Sequence, residues 1–254
     1  MSAPRLTRKE KRLKRQGQDV EKPQSIQERI NFSLDTIYPL TDNQRKTFAS
    51  YENGKNLLLV GTAGTGKSFL SIYLGMRDIF EKHTHNRMVI VRSVVPTRDM
   101  GFLPGSNKEK SKVYEAPYYA IFGELFDRGD AYDYLKNRNV VEFMTTSFVR
   151  GITINDAIII VDEFQNQNAG ELHSVFTRIG KNCKVIFAGD IKQNDLRTQR
   201  ADASGFRDFF RVMEKMTSFE VIEFTREDIV RSDLVREYVI AREDLEERGV
   251  IGVL

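Results

Sequence analysis

Residues that bind zinc or form disulfides are scarce in this chain. Its 254 residues include one cysteine, Cys183, and three histidines. A single cysteine cannot form an internal disulfide, which fits a reducing compartment. His83 and His85 stand in a polar segment without the Cys/His spacing of a zinc site, and we interpret them as a solvated helix end. The sequence therefore disfavours both a disulfide-stapled secreted domain and a zinc protein.

Long apolar runs are missing as well. No stretch approaches the roughly 18 residues that a membrane-spanning helix requires. The N-terminus also lacks the apolar core of a secretion signal. Hydrophobic residues make up 40% of the chain and charged residues 30%, which is typical of globular proteins. We therefore expect a cytoplasmic protein with no membrane partner.

The small net charge of +3 hides an uneven distribution. Residues 1–15 contain seven lysines and arginines and one glutamate, a net charge of +6, so the remaining 239 residues carry −3. We predict that residues 1–24 form a basic, disordered tail and that residues 25–254 form one folded domain. Such a tail either binds nucleic acid or an acidic partner or only aids solubility, and the sequence leaves both readings open.

Short apolar segments alternate with segments of helical spacing. The apolar segments, which we predict to be strands, are residues 56–60, 88–91, 140–145, 157–161, 184–188 and 221–224. Helical spacing covers residues 42–51, 67–80, 120–126 and 228–247, while residues 96–119 are rich in glycine, proline and charge and are predicted to be a long loop. Strands that alternate with helices predict an α/β domain with a mostly parallel sheet flanked by helices.

The first predicted strand runs directly into a phosphate-binding pattern. Residues 61–68 read Gly-x-x-x-x-Gly-Lys-Ser, the P-loop or Walker A motif, in which backbone N–H groups and the following helix surround an anion. Lys67 is expected to reach the β- and γ-phosphates, and the hydroxyl of Ser68 is expected to hold Mg²⁺. The predicted nucleotide-binding residues of this loop are Gly61, Thr62, Ala63, Gly64, Thr65, Gly66, Lys67 and Ser68.

A second apolar strand ends in two acids, which is the Walker B arrangement. Asp162 follows Ile158–Val161 and is a candidate Mg²⁺ ligand, and Glu163 beside it is a candidate general base for an attacking water. A kinase that positions a substrate hydroxyl has less need of this second acid. The pair therefore favours hydrolysis over phosphoryl transfer to a small molecule.

Four more side chains are candidates on weaker grounds. Gln193 follows the strand at 184–188 and is a candidate γ-phosphate sensor or water-orienting group, unless Gly189 begins only a simple turn. Gln44 carries a carboxamide that suits an adenine edge. Arg226 and Arg231 are candidates for the cationic finger of phosphoryl transfer, the alternative being surface salt bridges.

Taken together, these motifs resemble the PhoH-like ATPases, which are related to superfamily 1 helicase cores. The resemblance covers about residues 36–242 and rests on the P-loop and on the segments GFLPGS (101–106), SFVRGITINDAIIIVDEFQN (147–166), FTRIG (176–180) and AGDIKQNDL (188–196). Phe164 and Ser232 depart from it, because the family more often has alanine and histidine there. The length is similar to that of a minimal phage or bacterial member without a fused RNA-binding or nuclease domain.

The resemblance implies a single RecA-like core that binds ATP and Mg²⁺, hydrolyses ATP and has a link to RNA. It implies that Gln165 belongs to the extended Walker B motif and that Gln44 contacts adenine. It also implies that certain residues contact a nucleic-acid strand, namely Arg92, Pro96, the GFLPGS loop, Arg150 and Gly151. The run at 96–119 adds cationic and aromatic side chains suited to single-stranded nucleic acid, namely Arg98, Phe102, Lys108, Lys110, Lys112, Tyr114, Tyr118 and Tyr119.

Superfamily 1 helicases complete their ATP site with a second core domain, for which this chain has no room. We therefore hypothesise a homo-oligomer, a head-to-tail hexameric ring, in which Arg226 or Arg231 of one subunit reaches the nucleotide of the next. The leading interpretation is an ATPase coupled to single-stranded RNA or DNA binding or translocation. The alternative is a slow ATPase that acts as a regulatory or assembly module on a protein partner. A small-molecule kinase is a third, less favoured reading.

Overall fold

The computed structural model describes residues 30–93, 107–190 and 200–251, with the side chains of residues 107–111 and 200–207 left out. The chain divides into the units Met1–Ser33 and Leu34–Leu254. Of the first unit, only residues 30–33 are described, and they form neither helix nor strand. The predicted tail at 1–24 lies outside the described residues. All that follows concerns the second unit.

A six-stranded parallel sheet forms the centre of the domain, with strand order β3-β2-β4-β5-β1-β6. The strands are β1 Asn56–Gly61, β2 Met88–Arg92, β3 Val141–Thr145, β4 Ala157–Asp162, β5 Cys183–Gly189 and β6 Phe219–Phe224. Each lies within two residues of a strand predicted from the sequence. The α/β class and the parallel sheet are therefore confirmed.

Burial along the strands follows their place in the sheet. All six residues of β4, the strand between β2 and β5, are buried, because helices cover both faces of a parallel sheet. The edge strand β6 instead mixes buried and exposed residues, and it exposes Glu220 and Glu223. Charged residues on an edge strand discourage pairing with another chain.

The helices are α1 Asp42–Glu52, α2 Lys67–Arg77, α3 Asn107–Leu125, α4 Ala131–Asn137, α5 Thr146–Val149, α6 Ala169–Phe176, α7 Arg200–Lys215 and α8 Asp233–Glu247. A π-helical turn, Asp78–Lys82, extends α2. The predicted helix at 228–247 begins later, because Thr225 caps a separate 3₁₀ turn, Arg226–Asp228. None of the helices in the described ranges combines the length and apolarity needed to cross a bilayer.

The predicted loop at 96–119 is wrong from residue 107 onward, where α3 begins. The first half of α3 is rich in charge, and Pro117 lies inside the helix, so the local pattern favoured a loop. The helix predicted at 120–126 is only the end of α3. This error matters for function because α3 carries Tyr118, which the sequence had placed on a nucleic-acid surface.

Helix α2 packs unusually close to the sheet at Gly75. A Cβ atom at this position would lie 2.4 Å from Met88 Cε and 3.0 Å from Ile158 Cγ2. Close approach here fixes the helix that starts at the P-loop against β2 and β4. The N-terminus of α2 is thereby held at the carboxyl ends of the strands.

We expect Gly75→Val to lower the free energy of unfolding by about 1–3 kcal/mol, because the added methyl groups overpack the interface between α2 and the sheet. Gly123→Val in α3 is the matched control, since its Cβ atom would meet nothing nearer than 3.8 Å. Both substitutions replace a helical glycine with valine, so the change in intrinsic helix propensity is the same residue for residue. Urea denaturation of both variants measures the difference, and equal losses would contradict the packing argument.

Candidate functional site

Three glycines shape the P-loop through left-handed backbone angles. Gly61, Gly64 and Gly66 have φ values of 121°, 76° and 83°. Gly61 also has no room for a side chain, because a Cβ atom would lie 1.9 Å from the carbonyl oxygen of Phe224 in β6. The N–H group of Thr62 donates to that same oxygen at 3.1 Å. The loop therefore turns in contact with the neighbouring strand and ends at Gly66, where α2 begins.

The ammonium group of Lys67 lies inside the curl of the loop. Its Nζ donates to the carbonyl oxygens of Gly61 and Thr62 at 2.8 and 2.7 Å and to Thr65 Oγ1 at 3.2 Å. Burial lowers the pKa of Lys67, and the nearby carboxylates, those of Asp190, Glu163 and Asp162, partly offset that shift. The cation is thus held where a phosphate chain cradled by the loop would lie.

Asp162 at the end of β4 meets the P-loop helix. Ser68 Oγ donates to Asp162 Oδ1 at 2.6 Å, and the hydroxyl of Tyr118 donates to Oδ2 at 2.8 Å. Asp162 is only 3% exposed. A hydroxyl and a carboxylate in contact are the hard oxygen donors that Mg²⁺ prefers, so the residues present fit the ion that the motifs imply.

Glu163 occupies a strained backbone position beside Asp162. Its φ of 49° lies in the left-handed region, which non-glycine residues rarely adopt and which is frequent at functional sites. Burial and the adjacent Asp162 carboxylate raise the pKa of Glu163, while a hydrogen bond from Gln165 acts in the opposite direction. A carboxylate with a raised pKa is a stronger base than an exposed one.

Gln165 connects the ends of two neighbouring strands. Its Nε2 donates to Glu163 after β4, and its Oε1 accepts the N–H of Asp190 after β5 at 3.0 Å. The side chain is almost fully buried, and Gly189 leaves room for it, since a Cβ atom there would lie 2.3 Å from Gln165 Oε1. The predicted γ-phosphate sensor Gln193 lies outside the described residues.

Gln44 on α1 is fixed in place at the mouth of the P-loop. Its Nε2 donates to the carbonyl oxygen of Thr65 at 3.3 Å, and its Oε1 accepts the N–H of Leu40 at 2.8 Å. Gln44 lines a cavity of about 590 Å³ that extends to Lys67, Glu163 and Asp190. The amide of Gln44 therefore lines the same cavity as Glu163 and Asp190.

Several residues that line the cavity were not predicted from the sequence. Tyr38, which is 74% exposed, and Leu40 lie ahead of α1, and Pro117 and Ile121 belong to α3. None of these residues is part of a motif. Their place at the cavity depends on how α1 and α3 pack against the P-loop, which periodicity does not encode.

The two candidate arginines differ sharply in their surroundings. Arg226 forms ion pairs with three carboxylates of α8, those of Asp244 at 2.6 Å, Glu247 at 3.1 Å and Glu243 at 3.7 Å. Arg231 lines the cavity, and its Cγ lies 3.1 Å from where a Cβ of Gly64 would be. Among the described residues it has no hydrogen-bond or ion-pair partner.

The C-terminal helix α8 also contacts the P-loop directly, which the sequence did not indicate. Thr62 Oγ1 donates to Glu243 Oε1 at 2.9 Å, and both side chains are buried. Just before α8, the N–H of Val230 donates to the carbonyl oxygen of Gly64 at 3.2 Å. The phosphate loop is thus held by residues from the far end of the domain.

A family model described as PhoH-like protein matches residues 36–243, the stretch that contains the P-loop, the acids after β4 and both candidate arginines. The chain belongs to the PhoH-like protein family. Its parallel sheet, P-loop and Walker B acids are those of a P-loop NTPase. The resemblance drawn from the motifs is therefore confirmed.

Curated PhoH-like relatives match most of this chain. The PhoH-like protein of Mycobacterium tuberculosis (strain ATCC 25618 / H37Rv) is 33% identical over 215 residues, which is 84% of this chain and 60% of the relative. Protein PhoH of Escherichia coli (strain K12) is 31% identical over 206 residues, 80% of this chain and 57% of the relative. The chain spans about three fifths of the length of these relatives.

Among solved structures, the Hef helicase domain of Pyrococcus furiosus is similar in fold. The match covers 73% of this chain and 39% of that chain, at 12% identity and a TM-score of 0.44. A similarity this distant carries no information on activity.

In this PhoH-like chain, the prediction that Tyr118 contacts single-stranded nucleic acid is wrong. Its ring is fully buried and its hydroxyl is bound to Asp162, so it does not stack on a base. Tyr119 is half-buried and donates to Asp133 at 2.9 Å, while Lys112 is exposed.

The other nucleic-acid candidates lie in varied surroundings. Arg92 donates to the carbonyl oxygen of Tyr114 at 3.4 Å. Burial acts to lower the pKa of Arg92, but Tyr118, Asp162 and Glu163 outweigh this and raise it. Arg150 and Gly151 are exposed, and Tyr114 is half-buried. For Pro96, Arg98, Phe102 and the GFLPGS loop, the residues themselves lie outside the described ranges, as do the side chains of Lys108 and Lys110.

We expect Glu163→Gln to stabilise the fold at pH 7. Because the pKa of Glu163 is raised in the folded state, its ionised form weakens the fold above that pKa, by about 1.4 kcal/mol for each unit of the shift. The gain should disappear below about pH 4, where the carboxyl is protonated in both states. Denaturant titrations across this range measure it, with Glu223→Gln on the exposed edge strand as control. A gain that does not vary with pH would contradict the assignment.

Proposed function

We propose that this chain binds ATP with Mg²⁺ and hydrolyses it. The observation that carries the proposal is the contact between Ser68 and Asp162, which joins the P-loop to the Walker B strand at 2.6 Å. In P-loop NTPases these two residue types hold the metal ion, which neutralises charge on the phosphates when bound. Lys67, inside the same curl of backbone, is the natural partner of the β- and γ-phosphates.

Glu163 is the proposed general base. Its carboxylate lines the same cavity as Lys67, and its raised pKa brings it nearer to the pH at which a base accepts a proton most effectively. Gln165 orients it by hydrogen bonding and ties it to the backbone at Asp190. Gln193, in the segment that follows Asp190, is proposed to respond to the γ-phosphate.

Gln44 is proposed to select adenine. Its amide is held by Leu40 and Thr65 in a single orientation, so one amide hydrogen and one lone pair of the oxygen remain for a ligand. That combination matches the donor and acceptor on the edge of adenine. Guanine presents a different pattern on the corresponding edge.

We also propose that hydrolysis is coupled to single-stranded RNA or DNA. The support is the family's helicase-like motifs and the basic residues of the 96–119 segment, of which Lys112 is exposed at the start of the described part of α3. The alternative is a slow ATPase that regulates a protein partner. The two are separated by whether nucleic acid stimulates turnover.

The decisive experiment is an ATPase assay with and without single-stranded RNA and DNA, with Glu163→Gln as the control. We expect Mg²⁺-dependent turnover that nucleic acid stimulates and that salt weakens. Glu163→Gln should still bind ATP but lose about 10²–10⁴-fold in kcat. Turnover that neither nucleic acid changes would favour the regulatory alternative, and a wild-type protein without ATPase activity would refute the proposal.

Arg231 is proposed to stabilise the charge of the transferring phosphoryl group on its own chain. Its side chain crosses Gly64 of its own P-loop, whereas Arg226 is engaged by three carboxylates. This differs from the arrangement hypothesised from the sequence, in which the arginine came from a neighbouring subunit. The hexameric ring stays a prediction. If Arg231 acts on its own chain, the need for an arginine from a neighbouring subunit no longer supports that ring.

We expect Arg231→Ala to lower kcat by about 10³-fold, as loss of an arginine finger does. Mixing this variant with Lys67→Ala distinguishes the two arrangements. If the arginine acts within its own chain, every subunit in the mixture is defective and no activity returns. Recovered ATPase activity in the mixture would show that the arginine acts between subunits and would overturn this assignment.

A further inference from the structure

The buried tyrosine of α3 holds one of the two oxygens of the Walker B carboxylate. Tyr118 is 0% exposed and donates to Asp162 Oδ2 at 2.8 Å, while Ser68 donates to Oδ1 at 2.6 Å. Each carboxylate oxygen therefore has one fixed donor. The donor to Oδ2 comes from outside both nucleotide-binding motifs.

The ring of Tyr118 has little freedom to move. It packs against Tyr132 and Phe143, with ring centroids 6.2 and 6.0 Å apart. Arg92 carries a positive charge that interacts with both Tyr118 and Asp162. A hydroxyl fixed in this way holds its acceptor in one orientation, because neither partner can rotate without losing the bond.

Helix α3 touches the site at a second place. Pro117 and Ile121, which flank Tyr118 on the helix, line the cavity that extends from Gln44 to Glu163. The helix therefore contacts the nucleotide cavity and the Walker B carboxylate together. A shift of α3 would change both.

We propose that Tyr118 is a positioning residue for the metal-binding carboxylate and that it couples α3 to the magnesium site. The proposal rests on the Mg²⁺-nucleotide binding proposed above. Hydrogen-bond partners behind a metal ligand orient it, and their loss costs about 10- to 100-fold in metal affinity or activity. Tyr118 would not touch the ion or the nucleotide; it would act through Asp162.

A purely structural role is the competing explanation, since any buried tyrosine hydroxyl needs a partner. The chain supplies a matched case in Tyr132, which is also 0% exposed and donates to the carboxylate of Glu115 at 2.8 Å. Its ring belongs to the same aromatic cluster, but its acceptor is not a Walker B residue. Tyr132→Phe and Tyr118→Phe therefore remove the same chemical group from similar surroundings.

The test measures binding of a fluorescent, non-hydrolysable ATP analogue to the full chain, with Mg²⁺ titrated and with EDTA. For Tyr118→Phe we expect about 10-fold or more Mg²⁺ to be needed for half-maximal enhancement of binding, with the affinity in EDTA unchanged. Tyr132→Phe should match the wild type in both. An unchanged Mg²⁺ requirement in Tyr118→Phe, or an equal shift in both variants, would overturn the inference.

Failure of the proposed function has a different signature. A wild-type chain that binds no analogue at any Mg²⁺ concentration refutes nucleotide binding itself, and the inference with it. If Tyr118→Phe folds but is too unstable for binding to be measured, thermal melts compare Tyr118→Phe with the wild type, and Tyr118→Phe combined with Asp162→Asn with Asp162→Asn alone. We expect the loss of the hydroxyl to matter less once the carboxylate is gone, and equal losses in melting temperature in both backgrounds would refute coupling through Asp162.

Discussion

The carboxylate of Asp162 can be buried only while hydrogen-bond donors reach it from two other elements. A buried charge without partners costs several kcal/mol. Here α2 supplies the hydroxyl of Ser68, and α3 supplies that of Tyr118. The P-loop helix, the Walker B strand and α3 must therefore be assembled together. The hydrogen bonds that position Asp162 for binding therefore also stabilise the packing of α2, β4 and α3.

The order of the strands explains why the remaining polar groups gather at one edge. β5 lies between β1 and β4, so the ends of all three strands meet beside the P-loop. Gln165 then links Glu163 to Asp190 across two of those ends. The neighbouring ring of Phe164 packs edge-on against Phe187, with ring centroids 6.0 Å apart.

The sequence was sufficient for features that local patterns encode. The strands, the P-loop at Gly61–Ser68 and the acids after β4 follow from apolar runs and fixed spacing. It was insufficient where charge or proline obscured a helix, as at Pro117, and where a contact joins distant segments. The burial of Tyr118 and the bond from Thr62 to Glu243 are of the second kind, because no local periodicity records which side chains meet across the fold.

The bond between Thr62 and Glu243 joins residues that are 181 positions apart. On the ribosome, the phosphate loop is made early, and its partner on α8 is made only after the last strand of the sheet. The loop therefore cannot reach its full set of contacts until α8 has been synthesised. A nascent chain that has not yet made α8 therefore lacks one of the restraints on its phosphate loop.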